Sequence, residues 1–330
     1  MINSSNFIHL PYTPDLTEGG IAYALRSLLY SIDDTSENLY DRLRRLVAEA
    51  AVELAFRRHL SQQAVPFDVT SAMPFTDPGK FFVELGRHRC DIKSFLVSHR
   101  DQISEMHRNP NVILNAPALV LSDHHMIDGH TDNDLYLFTF LSGLLAASQD
   151  DLKKVIKTNQ PHYLMYAMPA AWRKPLKWNP LGPLVLKSES VAELLIEISG
   201  QDGARGFFTR LVNLPPKTRV TIEDPFYSIT SVHAKNMPSA RLGIHSRAYP
   251  QAHVISAFEW GNIWVYGMQI ILTGFISRGE FRQRAKLLAP NSRVFQYAHT
   301  KIKNLAVPVS NLNPLADLFT RVQEWKAAQA

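Results

Sequence analysis

The stretch from Thr76 to Leu96, TDPGKFFVELGRHRCDIKSFL, holds residue types at a spacing that suits hydrolytic chemistry. Asp91 and Lys93 stand two positions apart, and alternation along a strand puts such a pair on one face. A carboxylate there can hold Mg²⁺ or Mn²⁺, and an ammonium beside it can orient a water, the combination that phosphodiester hydrolysis uses. Arg89 and Phe95 join that face if Gly86-Arg87 closes a tight hairpin, while Cys90, Ile92, Ser94 and Leu96 take the core face. Cys90 therefore reads as packing and not as a nucleophile. Upstream, Asp77 opens a strand-like segment, although Asp77-Pro78-Gly79-Lys80 also has the composition of an ordinary β-turn.

A second group, His124, His125, Asp128, His130, Asp132 and Asp134, is dense in side chains able to ligate Zn²⁺ or Mn²⁺. It lacks the spacing of H-E-x-x-H and sits in a polar tract, which points to an exposed loop bordering a cleft. A hydrolase centred on this loop is a third, weaker reading. The chain contains no Walker A, G-x-G-x-x-G or G-x-S-x-G motif, so triphosphate, dinucleotide and serine-hydrolase readings have no support.

The elements that must position these residues follow from periodicity. A short helix over the leader brings Ile21, Leu25, Leu28 and Leu29 to one face, and residues 38–60 form a long helix with Leu39, Leu43, Leu46, Val47, Ala50 and Leu54 at helical spacing. Three strand-like segments follow, VPFDVTSAMPF, KFFVELG and HRCDIKSFLVS. Residues 99–120 read as a helix then a loop, DLYLFTFL from Asp134 as a buried strand, Gln149 to Asn159 as a basic helix, and His162 to Met168 as another strand. The proline-rich PAAWRKPLKWNPLGP sets a domain break near Pro180. Beyond it the pattern predicts a helix over Ser190 to Ser199, a run of short strands from Arg219, a helix over Ser277 to Leu288 and a last helix over Pro314 to Ala327.

The helix, three strands and later helix-strand unit, with Asp91-Ile92-Lys93 on the third strand and Asp77 before it, resemble the PD-(D/E)XK nuclease superfamily, the restriction-endonuclease-like fold. That family's core runs α-β-β-β-α-β, and the resemblance covers residues 38 to about 168. It implies that Asp77 and Asp91 ligate the metal with the backbone carbonyl of Ile92, and that Lys93 positions the attacking water or helps deprotonate it. Family members often add an acid from the first helix. Glu49 and Glu53 are the choices, and helical geometry favours Glu53, at the edge of the apolar stripe, over Glu49, which points further out. Two departures stand out: Asp77 is followed by proline instead of preceded by it, and the Gly86-Arg87 turn sets Asp91 opposite Phe82, leaving Asp77 beyond the paired region. Asp68, in PFDVT, is the alternative first aspartate.

The expected fold class is therefore α/β, with the restriction-endonuclease-like αβββαβ core that the resemblance implies within residues 1–180 and a basic, β-rich second domain over 181–330. Of 330 residues, 45% are hydrophobic and 20% charged, enough to build a core and too apolar for a disordered chain. Residues 1–160 carry 15 Lys and Arg against 20 Asp and Glu, whereas residues 161–330 carry 20 against 10. Such a basic half is the footprint expected of a polyanion binder, and equally of a soluble basic surface with no ligand. Trp260, Trp264, Tyr266, Arg247, Arg278, Arg282, Arg284 and Lys286 mix aromatic and basic character there, as a nucleic-acid surface would, although core packing accounts for most of the aromatics and one solvated helix face for the basic residues of RGEFRQRAK.

With one cysteine, no signal-peptide pattern and no apolar run long enough to cross a membrane, the expectation is a cytosolic protein without a membrane partner. The expected function is a Mg²⁺-dependent DNA endonuclease, Mn²⁺ serving as a substitute, with the basic domain holding the duplex. The family resemblance implies roles in restriction, repair, recombination or defence, and action as dimers or with partner proteins. The alternative is a catalytically inactive nuclease-like scaffold that recognises nucleic acid, protein or glycan.

Overall fold

Alternating and wholly apolar strands dominate the chain, and their long-range pairing decides how it divides. The computed structural model describes residues 2–31, 38–69, 83–126 and 130–327. It separates into two units, one made of residues 1–20, 45–145 and 265–330, the other of residues 21–44 and 146–264. Two helices contribute to both: α1 (Pro14–Ser31) and α2 (Leu39–Gln62).

The first unit contains β1 (Ile8–Leu10), β2 (Val83–Leu85), β3 (His88–Val97), α3 (Arg100–Arg108), α4 (Val112–Asn115), β4 (Pro117–Leu121), α5 (Ser122–His125) and β5 (Leu135–Leu145). Two residues in the left-handed region, Gly86 and Arg87, close the β2–β3 hairpin, the backbone that a two-residue primed turn requires and that glycine adopts without penalty. An isolated bridge sets Asp68 against Glu84 on the outer side of β2. Strand β3 then pairs in parallel with β5 from Cys90–Leu135 to Val97–Ser142, with α3 among the elements of the crossover.

In the second unit, α6 (Gln149–Lys157), β6 (Leu164–Ala167), α7 (Ala170–Arg173), β7 (Leu184–Ser188), β8 (Leu194–Gln201), β9 (Phe207–Leu214), β10 (Arg219–Ile222), β11 (Ser228–Ala234), β12 (Leu242–Ser246), β13 (His253–Ile255) and β14 (Gly261–Asn262) follow in order. They build a four-stranded sheet, β10-β7-β12-β13, and a five-stranded one, β14-β6-β11-β8-β9. Leu184, Leu186, Leu242 and Ile244 from the first share one core with Ile196, Ile198, Ile229 and Val232 from the second, as the inner faces of a sandwich do. Arg44, buried at the start of α2, donates to the carbonyls of Ala146 (3.0 Å) and Asn262 (2.6 Å) in this unit.

The chain then returns to the first unit with β15 (Val265–Ser277), α8 (Arg278–Arg284), β16 (Lys286–Leu288), β17 (Asn304–Pro308) and α9 (Leu315–Ala327). Strand β15 runs antiparallel along the free side of β5, giving a sheet of order β1-β15-β5-β3-β2, and β16-β17-β4 forms a separate three-stranded sheet. Both faces of β5 are covered. Leu135, Leu137 and Leu141 join a cluster with Ala51, Val52 and Phe56 of α2, while Tyr136, Phe138 and Phe140 join a second cluster with Phe95, Val307 and Phe281.

Several expectations change. The chain does not divide at Pro180: residues 146–180 lie in the β-rich unit, and residues 265–330 belong to the α/β unit because β15 pairs with β5. The segment from Ser190 to Ser199 yields strand β8 and no helix, since Leu194, Ile196 and Ile198 alternate into the core between β9 and β11. The helix expected over Ser277 to Leu288 stops at Arg284, and Lys286–Leu288 becomes an edge strand on β17. The presumed loop before residue 121 contains β4, and most of the first strand-like segment, VPFDVTSAMPF, lies outside the described residues. The architecture is α/β with several sheets, and no helix among the described residues is long and apolar enough to cross a membrane.

Leu137, on β5, is 1% exposed and packs in the cluster shared with α2. Truncating it leaves a cavity between β5 and α2, so Leu137→Ala should lower unfolding free energy by about 2–5 kcal/mol. Leu287→Ala, at a side chain 65% exposed, should change it by less than about 0.5 kcal/mol. Urea unfolding of the two variants beside wild type reads the contrast, and equal losses would show that β5 is not the packed centre described.

Candidate active site

Alternation along β3 sends Cys90, Ile92 and Leu96 to the α2 face and Arg89, Asp91, Lys93 and Phe95 to the other. The division matches the hairpin reading, with one difference. The second face is not a solvated chemical face throughout, because Phe95 and Val97 enter the aromatic cluster. It is polar only at the N-terminal end of β3, where Arg89, Asp91 and Lys93 are half-buried.

There Lys93 Nζ lies 2.7 Å from Asp91 Oδ2, with side chains 19% and 23% exposed, a partly desolvated ion pair between next-nearest residues of one strand. The parallel register sets Asp91 beside Tyr136 and Lys93 beside Phe138. Lys93 Nζ sits 5.8 Å from the centre of the Tyr136 ring, and the Arg278 guanidinium lies 5.2 Å from the same ring. Two cations thus face one aromatic ring, whose hydroxyl lies 3.0 Å from His125 Nδ1. Burial pushes the Tyr136 hydroxyl well above its usual range, with Arg278 opposing and Asp91 and Asp134 reinforcing the shift.

The strongest electrostatic contact is one strand over. Arg89 grips Asp134 through Nη2–Oδ2 at 2.8 Å and Nε–Oδ1 at 3.2 Å, and the Thr131 amide donates to Oδ2 at 2.7 Å. Burial alone would raise the Asp134 pKa; the Thr131 amide and Arg89 outweigh it and hold the carboxyl below its ordinary value. His130 Nδ1 stands 3.5 Å from the same carboxylate. Burial, Arg278 and Arg89 lower the His130 pKa more than Asp134 and Asp91 raise it, so at neutral pH the contact is that of a neutral imidazole. His125 is lowered for the same leading reason, burial, with Arg278 and Arg282 adding to it.

The histidine-rich tract is therefore partly built in. Asp134 and His125 are buried, Arg278 Nη2 donates to the His125 carbonyl at 2.6 Å, and Arg278 N donates to the Asp134 carbonyl at 2.8 Å. Asp132 is exposed and paired with Arg282 at 2.7 Å, and His124 lies on the short α5. Asp128 lies outside the described residues.

The other residues singled out from sequence are spread out. Asp77 lies outside the described residues. Asp68 is exposed and bridged to Glu84, two strand spacings from β3, or roughly 10 Å, and in the row of Arg89 instead of Asp91. Glu53 is buried as its place on the α2 stripe predicts, and Glu49 is more exposed, but Glu53 pairs with Arg57 on α2, which packs on the Cys90 face. Burial drives the Cys90 thiol pKa up, in keeping with a packing role. Of the aromatic and basic residues singled out in the second half, Trp260 is fully buried in the β-rich unit, in keeping with the core reading, while Tyr266, Arg278, Arg282, Arg284 and Lys286 belong to the α/β unit and not to a second domain.

Magnesium takes several hard oxygen ligands at once. Among the described residues no three His, Cys, Asp or Glu side chains come together to hold a metal ion. Asp91 is engaged by Lys93, and Asp134 by Arg89 and Thr131, so these donors do not by themselves fit Mg²⁺ or Mn²⁺. What sequence reasoning missed is the role of Arg89, Tyr136 and Arg278 as the frame of the cluster. Arg89 was visible on the face of Asp91, but its partner lies 45 residues away. No family model matches the chain, and no curated protein and no solved structure matches it.

Replacing Asp134 by Asn keeps the shape and removes the charge that Arg89 and Thr131 bind. Unfolding free energy at pH 7 should fall by about 1–3 kcal/mol. Because the folded pKa is lowered, the carboxylate's contribution is present above its unfolded value of about 3.9 and is lost as pH falls through the folded value. The deficit of Asp134→Asn should stay constant from neutral pH to about 5 and shrink below about 4. Chemical unfolding across that range measures it, and a deficit unchanged at pH 3.5 would mean that charge is not what Asp134 contributes.

Proposed function

We propose that the α/β unit is the core of an endonuclease that hydrolyses DNA phosphodiester bonds, with Asp91 and Lys93 as its working pair. The observation that carries this reading is the order of elements around that pair. In chain order α2, an isolated bridge at Asp68, β2, β3, α3, α4, β4, α5 and β5 follow one another. With the bridge counted as a strand, and α4, β4 and α5 set aside because β4 pairs in a different sheet, the order is α-β-β-β-α-β, and the Asp91–Lys93 pair stands on β3 beside the parallel strand β5. This is the core order of the restriction-endonuclease-like fold that the sequence resembles. In the reaction a water oxygen attacks phosphorus, one P–O ester bond breaks and the departing oxygen takes up a proton. Lys93 is suited to hold that water or to balance charge on the phosphate, and Arg89 and Arg278 add positive charge on the same face. Asp91 and Asp134 do not by themselves supply a site for Mg²⁺ or Mn²⁺, so the metal requirement rests on the family resemblance alone, and the assay reads it directly.

A second reading, a nuclease-like protein that binds without cutting, is favoured by the neutralisation of Asp91 and Asp134 by neighbouring cations. Cleavage of supercoiled and linear plasmid in Mg²⁺ or Mn²⁺ separates the two. Wild type should cut only with metal present, and Asp91→Ala and Lys93→Ala, both verified as folded, should cut at least about 100-fold more slowly. Equal cutting by all three, or none by wild type in either metal, rejects the proposed nuclease.

A further inference from the structure

The outer face of the four-stranded sheet carries an arrangement that the core of its unit does not use. Register sets Arg219 opposite Lys187, Lys187 opposite Gly243 and Gly243 opposite Val254, one row across all four strands. Their neighbours Leu186, Leu242, Ile244 and Ile255 point inward to the core, so the row faces out. In the next row Val185 stands opposite His245. Together these residues line an open groove of about 380 Å³, within the span of small-ligand sites.

Two features of the groove work against the sheet that contains it. Arg219 and Lys187 are like charges directly opposite each other on adjacent strands, a destabilising placement, and neither has a carboxylate partner among the described residues. Glu189, the acid lining the groove, is held by Arg241 through Nε at 2.8 Å and Nη2 at 3.2 Å. Gly243 is the other feature. A Cβ there would meet only the Lys187 carbonyl, at an ordinary 3.8 Å, so packing does not demand a glycine in mid-strand. A strand glycine often marks a bulge, a tight bend or a close approach to the backbone, and the register of β12 with β7 and β13 runs through Gly243 without a bulge.

We propose that this groove binds a nucleotide unit, free or within a nucleic-acid strand. The phosphate lies between Arg219 and Lys187, where a guanidinium fork and an ammonium offset its charge and relieve their own repulsion. The flat base lies over Gly243 between Val185 and Val254, with His245 beside it. The site deepens the reading of DNA as substrate, yet it stands on the geometry of this sheet alone and does not depend on cleavage by the other unit.

The test uses the full chain in EDTA at fixed salt, with adenosine monophosphate followed by calorimetry and a fluorescein-labelled single-stranded oligonucleotide followed by anisotropy. Arg219→Glu reverses one phosphate contact, Gly243→Leu fills the groove without backbone strain, and Lys157→Glu places the same charge reversal on α6, outside the groove. Wild type should bind at least one probe, with Arg219→Glu and Gly243→Leu each weakening binding about 10-fold or more and Lys157→Glu changing it less than about 2-fold. Binding of the oligonucleotide alone assigns the site to a strand, and of the mononucleotide alone to a free nucleotide. The proposal is overturned if wild type binds neither probe, if Gly243→Leu binds like wild type, or if Lys157→Glu weakens binding as much as Arg219→Glu. Groove-dependent binding beside an uncut plasmid would remove the nuclease reading and leave this one standing.

Discussion

Strand β5 is the constraint on which the α/β unit depends. It is held in parallel by β3 on one side and antiparallel by β15 on the other, and its two faces feed two different cores. Leu135, Leu137 and Leu141 at odd positions pack with α2, and Tyr136, Phe138 and Phe140 at even positions pack their rings against Phe95 and Phe281. A one-residue slip in register would exchange rings for leucines on both faces at once, so the pairing of β3 with β5 is strongly specified. That pairing in turn brings Arg89 to Asp134 and sets Asp91 and Lys93 beside Tyr136.

The charged cluster is a consequence of where the aromatic face runs out. At the N-terminal end of β3, charged side chains take the positions that Phe95 and Val97 hold further on, and Arg89, Asp91, Lys93, Asp134 and Arg278 each have an opposite charge or a backbone hydrogen-bond partner. Arg89 with Asp134, Lys93 with Asp91, and Arg278 with the carbonyl of His125 form a set in which removing one member strands another. The proposed hydrolysis calls for an available carboxylate, while the neutralisation leaves Asp91 already occupied. That tension gives Lys93 its interest, because any chemistry at Asp91 has to begin by loosening that contact.

Local signals in the sequence carried the elements of this unit well. The Gly86-Arg87 turn fixed the faces of β3, the apolar run after Asp134 announced a buried strand, and the leucine spacing of α2 separated Glu53 from Glu49. What was hidden depended on distant partners. VAELLIEIS satisfies helical spacing and strand alternation alike, and only β9 and β11 decide between them. The division of the chain was hidden for the same reason, since nothing within Val265–Ser277 announces that it completes a sheet begun before residue 146. The bond between Arg89 and Asp134 is a cross-strand contact, and spacing along the chain carries no trace of it.

That interrupted sheet has a consequence for the chain as it leaves the ribosome. Strand β5 is made long before β15, with residues 146–264 translated between them, an interval on the order of ten seconds. Through that interval one edge of a strand buried along most of its length lacks its neighbour, the kind of edge that joins other chains. The β-rich unit is complete in sequence before β15 emerges. A nascent chain stalled at that point would hold the whole β-rich unit while β5 still lacked its antiparallel neighbour.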